Sequence, residues 1–150
     1  MPSSFSPSVL DILSKAGWFE ERNVAVPLPP EFQPFPMAQR ILTEFGGLHI
    51  GQCGAGIDCA TSDIEINPNL AIHTLQELST IGRSIDNRLF PLGEVHRGHG
   101  FLVVDERGRI YLLSDELSRF APTFARSLEL LLLGKKPDNG EIEAAWKEDG

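Results

Sequence analysis

The side chains best suited to chemistry in this chain of 150 residues are His49, His73, His96, His99, Cys53 and Cys59. Such groups serve metal binding and nucleophilic attack, and their spacing tests both. Cys53 and Cys59 are separated by five residues, wider than the roughly two-to-four-residue gap of zinc knuckles, and no second ligand pair stands at a matching distance. His96 and His99 lie in a glycine-flanked loop with Glu94 nearby, so a metal contact there is geometrically open. The segment nevertheless lacks the helical His-Glu-x-x-His order that sets two imidazoles and a base on one face, and no third ligand can be placed. A thiolate nucleophile needs a histidine close in space, and Cys59 with His49 or His73 is the candidate pair. No local pattern supports it.

The nucleophile-elbow pattern Gly-x-Ser-x-Gly and the phosphate-cradling Gly-x-x-x-x-Gly-Lys are both absent. Gly51, Gln52, Cys53, Gly54, Ala55 and Gly56 are glycine-rich but open no clear helix, so their N–H groups are not aimed at a phosphate and read as a loop or bulge. No catalytic residue, metal ligand or cofactor is expected from these tests.

Composition narrows the function further. Acidic residues number 21 against 13 basic ones, a formal charge of −8, and acids exceed bases in each third of the chain. Nucleic-acid binding needs a basic surface to displace counterions, so direct binding is disfavoured, whereas a basic protein partner suits the charge. Two cysteines are too few for a disulfide framework. The opening residues carry no basic segment followed by an apolar run, and no stretch reaches the roughly 18 apolar residues that span a bilayer. A cytoplasmic protein without membrane contact is expected.

The elements that must position these groups are marked by local signals. Ser6 and Pro7 open a helix that Val9, Ile12, Leu13 and Ala16 continue, Gly17 ends and Trp18 folds back upon. Five prolines between positions 27 and 36 forbid a helix interior, leaving 23–28 as a short edge strand. Ala38, Ile41, Leu42 and Phe45 form a second amphipathic helix closed by Gly46 and Gly47. Residues 48–50 start a strand, 51–61 form a loop, and 63–67 alternate as a half-buried strand stopped by Pro68. A third helix runs over 73–81 with Gly82 as its cap. Phe101–Val104 and Arg109–Leu113 flank a polar connection in which Gly108 supplies positive φ, making a hairpin. A last helix through Phe124, Leu128, Leu131 and Leu132 ends at Gly134. The order lacks regular β-α alternation, so the expected fold is a single α+β domain with an antiparallel or mixed sheet packed against about four helices. That domain spans 1–136, and 137–150 form an acidic tail lying partly outside the core.

Residues 10–22, L-D-I-L-S-K-A-G-W-F-E-E-R, then L-T-E-F-G-G-L at 42–48, I-E-I-N-P-N at 64–69 and L-F-P-L-G-E at 89–94 follow one another in order. With Gly108 to Tyr111 after Asp105, and Leu128 to Gly134, they cover about 9–135. This series resembles the third family of the SUKH superfamily. The resemblance implies a shared α+β fold and a role as a bacterial immunity protein of polymorphic toxin systems that binds a cognate toxin, often a nuclease. It implies no catalytic residue. Its recurring positions, Gly17, Trp18, Phe45, Gly46, Gly47, Pro91, Gly93, Gly108 and Tyr111, read physically as core residues, caps and turns. Specificity must then lie in residues that differ between members, and Asp105 and Glu106 at the hairpin tip, with Asp115 and Glu116 just after it, are the expected toxin contacts. Two other readings stay open: a regulatory protein-binding module on the same scaffold, and a small metal-dependent hydrolase using His96, His99 and Glu94.

Overall fold

The computed structural model describes residues 5–147. Helix α1, Pro7–Ala16, begins where the Ser6 side chain accepts a hydrogen bond from the Val9 N–H, and ends at Gly17, whose φ of 105° is left-handed. The Trp18 N–H then reaches the Leu13 carbonyl at 2.9 Å, turning the indole back onto the helix's apolar face. Helix α2, Pro36–Phe45, starts two residues earlier than the apolar spacing suggests, because Pro36 is preset for the first helical turn. Trp18 stacks on Phe45 at 6.0 Å, and Phe45 meets Phe124 edge-on at 4.8 Å.

Among the described residues six strands make one antiparallel sheet in the order β1-β2-β3-β4-β5-β6. They are β1 His49–Ile50, β2 Ile64–Glu65, β3 Leu89–Val95, β4 Gly100–Asp105, β5 Ile110–Leu113 and β6 Leu117–Ala121. A 3-10 segment, Pro68–Thr74, leads into α3, Leu75–Ser84; α4 is Phe124–Leu133 and α5 is Asn139–Lys147. Alternation along β4 and β5 divides the apolar side chains between two cores. Leu102, Val104 and Ile110 face the large core that includes residues of α1, α2 and α4, whereas Val103, Tyr111 and Leu113 face a smaller one shared with Leu78 and Trp146.

Close approach explains Gly93. A Cβ there would stand 1.9 Å from the Glu65 carbonyl oxygen, so β2 can lie against β3 only over a glycine. The ladder shifts register between Pro91 and Gly93, and such a bulge tolerates a proline without a ladder N–H.

Three expectations change. The 23–28 segment joins no strand; its Val24 N–H bonds to the Thr43 carbonyl of α2 instead. Gly82 lies inside α3 rather than capping it, since a Cβ would sit 2.6 Å from the Asn87 carbonyl oxygen that folds back over the helix. Strands β3 and β6 are additional. The single α+β domain stands as expected, with five α-helices among the described residues, the fifth within the expected tail, where Trp146 is 7% exposed. The last three residues of that tail lie outside the described ones.

Candidate functional site

Asp105 is not a surface contact. Its side chain is fully buried, with Oδ1 accepting from the backbone N–H groups of Arg107 at 2.9 Å and Arg109 at 3.0 Å. Oδ2 accepts from Arg109 Nε at 2.7 Å and from Asn87 Nδ2 and the Tyr111 hydroxyl, each at 3.0 Å. The physical reason is local: a carboxylate at the first position of a tight turn, here closed by the Gly108 N–H on the Asp105 carbonyl, captures N–H groups within and just after the turn. The Arg109 guanidinium then compensates its charge. Burial pushes the Tyr111 hydroxyl above its ordinary pKa, and the Asp105 carboxylate beside it adds to that rise while the Trp146 N–H opposes it.

Glu106, next in sequence, is exposed, as are Asp115 and Glu116. These do not form one patch. Glu106 sits in the β4–β5 turn and Asp115 and Glu116 in the β5–β6 turn, at opposite ends of β5.

Glu106 instead borders a groove of about 390 Å³ between α3 and the turn that follows it on one side and the β4–β5 turn on the other. Leu75, Leu78, Leu89 and Phe90 give it an apolar lining, and Glu31, Asp86 and Glu106 bring carboxylates from three separate segments. Asp86 holds a left-handed φ of 52°, a conformation that aspartate adopts more readily than most side chains. Arg83 and Arg88 also line it. The Arg88 guanidinium is engaged in the wall, donating to the Gln33 carbonyl at 3.3 Å and lying over the Phe35 ring at 5.3 Å.

His49, Cys53 and His96 meet elsewhere, at the β1–β2 end of the sheet, and their hub is Asp63. Its carboxylate accepts from His49 Nε2 at 2.7 Å, the Cys53 thiol at 3.4 Å and the Arg97 backbone N–H at 3.0 Å. Burial alone would raise the Asp63 carboxyl, but the bonds from His49, Cys53 and Arg97 outweigh it and hold the group below its ordinary value. His96 Nδ1 lies 3.6 Å from Cys53 Sγ and 3.4 Å from Ser62 Oγ. The pair brought together is therefore Cys53 with His96, not Cys59 with His49 or His73. Cys59 is exposed, and the His73 ring packs edge-on against Phe101.

The His96 and His99 rings are 5.3 Å apart, and His99 Nδ1 donates to the His96 carbonyl at 2.6 Å. Among the described residues no group of three or more His, Cys, Asp or Glu side chains could hold a metal ion. Likewise among the described residues, no helix is long and apolar enough to cross a membrane.

The family model of the SUKH-3 immunity protein matches residues 5–134. The chain belongs to that family. Comparison with curated proteins and with solved structures gave no match. Membership implies immunity against a toxin, exercised by binding it. The matched span of this SUKH-3 protein contains the groove and the Asp63 cluster, and α5 lies beyond it. Sequence reasoning missed Asp86, Glu31 and the hub Asp63. Asp86 had one signal, since an Asp-Asn pair just past a helix marks a turn; Glu31 and Asp63 are placed by contacts with distant segments and had none.

Proposed function

We propose that this SUKH-3 protein neutralises its cognate toxin stoichiometrically, docking its acidic surface over a basic, nucleic-acid-binding active site and so excluding the substrate. Family membership carries the reading; the charge of −8 gives it a direction. The groove between α3 and the β4–β5 turn is the docking centre. Its apolar lining suits the aliphatic stem of a lysine or arginine, and the Glu31, Asp86 and Glu106 carboxylates suit the cationic head. Asp115 and Glu116, a strand's length away, extend the acidic surface and steer encounter more than they hold the complex. Binding takes place in the cytoplasm and needs no catalytic group, cofactor or metal.

Coexpression with the toxin encoded beside it tests the proposal through survival and isolation of a one-to-one complex. Growth arrest despite good expression of the immunity protein would refute it. Within that assay Glu106→Lys is expected to weaken the complex about a hundredfold, since charge reversal at a desolvated contact costs several kcal/mol. Undiminished affinity would move the docking centre away from the groove.

A further inference from the structure

Helix α5 brings Ile142 and Trp146 to the smaller core, and the surroundings of Trp146 are not those of plain packing. The ring meets Tyr111 edge-on at 5.4 Å. The guanidinium carbons of Arg109 and Arg119 stand over it at 5.2 and 5.5 Å. Its Nε1–H donates to the Tyr111 hydroxyl at 3.1 Å, and that hydroxyl donates onward to Asp105 Oδ2. Asn87 Nδ2 donates to the same two oxygens, at 3.0 Å to Asp105 and 3.3 Å to Tyr111. Asp105 and Asn87 belong to the two turns on either side of the groove, and their sequence neighbours Glu106 and Asp86 supply its rim carboxylates.

We infer that α5 is a latch in which Trp146, acting through Tyr111, sets the relative position of the two turns that present Asp86 and Glu106. Trp146 is thus a positioning residue for partner binding, lying outside the span shared with the family. An element beyond the matched span thereby tunes a site built within it. The link to the partner rests on the docking reading above; the link between the turns does not.

The relay makes a demand that packing alone does not. Phenylalanine at position 146 keeps an aromatic ring between the guanidinium groups but has no N–H to donate. Amide hydrogen exchange on the full chain is therefore compared for wild type, Trp146→Phe and Tyr111→Phe. The Asn87, Arg107, Gly108 and Arg109 amides are expected to exchange about tenfold faster in Trp146→Phe, the effect of losing one hydrogen bond. The Leu102 and Val104 amides of β4 are expected to keep wild-type rates. Uniform acceleration across the sheet, or no change at the turns, would reduce Trp146 to a packing residue and overturn the latch.

Toxin dissociation, measured with the same variants and the toxin encoded beside the immunity gene, is expected to quicken severalfold. If Glu106→Lys weakens the complex while Trp146→Phe leaves dissociation unchanged, the latch does not act on the partner and that half of the inference fails. If Glu106→Lys is itself without effect, the docking reading fails while selective exchange still sustains the link between turns.

Discussion

Asp105 and Asp63 are both acids in polar surroundings of the sequence, yet each serves as a hub for backbone and side-chain donors. For Asp105 the cost of removal follows from what is left behind. Asp105→Ala takes a buried carboxylate away from the Arg109 guanidinium, whose side chain is 6% exposed, and removes the acceptor of two turn N–H groups. The expected loss is about 3–5 kcal/mol in denaturant unfolding. A loss below about 1 kcal/mol would mean that the turn finds other partners. Asp63 predicts a pH effect instead. Its folded pKa lies below the unfolded value of 3.8, so its contribution is fully present above that value and disappears as pH falls through the lower, folded one. Unfolding midpoints are expected to fall on acidification below about pH 4, and to fall less steeply in Asp63→Asn. Equal slopes would show that other carboxylates set the acid limb. Neither hub was legible, because Asn87 and Tyr111 reach Asp105, and His49 and Arg97 reach Asp63, only once the sheet has formed.

Elements with their own punctuation were readable and those defined by neighbours were not. Helix α1 has Ser6, Pro7 and Gly17 within its own sequence, and its bounds follow from them. The hairpin of β4 and β5 was legible for the same reason, through Gly108 at a φ of 88°. Strand β6 has no such signal: its residues Leu117–Ala121 alternate imperfectly, with a register shift against β5 between Ile110 and Tyr111. Helix α5 falls within the stretch expected as an acidic tail, and it is docked by contacts with distant segments, Ile142 and Trp146 in the smaller core and Glu141 against Arg126. Gly93 yields a prediction at this scale. Gly93→Ala drives a methyl group into the Glu65 carbonyl, so β2 must detach or β3 must bend. A loss of about 3 kcal/mol or more is expected in thermal or urea unfolding. Wild-type stability would show that β2 can move aside freely.

Over the whole molecule, charge and groove belong to different stages of one event. The −8 of the chain acts at a distance and is screened over about 10 Å at 0.1 M salt, while the proposed contacts in the groove would act after collision. Association with a basic toxin is thus expected to slow roughly tenfold as salt rises from about 50 to 500 mM, with dissociation changing far less. Stopped-flow mixing separates the two rates, and a salt-independent on-rate would remove steering from the account. Fold class and family were legible at this scale because ordered motifs run through most of the chain. The groove was not, since the segments of Glu31, Asp86 and Glu106 converge only in three dimensions.

The strand order itself bears on timing. Among the described residues each strand of the sheet is hydrogen-bonded only to strands adjacent to it in sequence, so β3, β4, β5 and β6 can zip up from the β4–β5 hairpin through short closures, while β2 joins across the 3-10 segment and α3. Sheets of this kind surrender little chain entropy before contacts repay it, and they mature quickly. An immunity protein competes with its toxin from the ribosome onward, and a meander gives it a head start that binding strength alone does not provide.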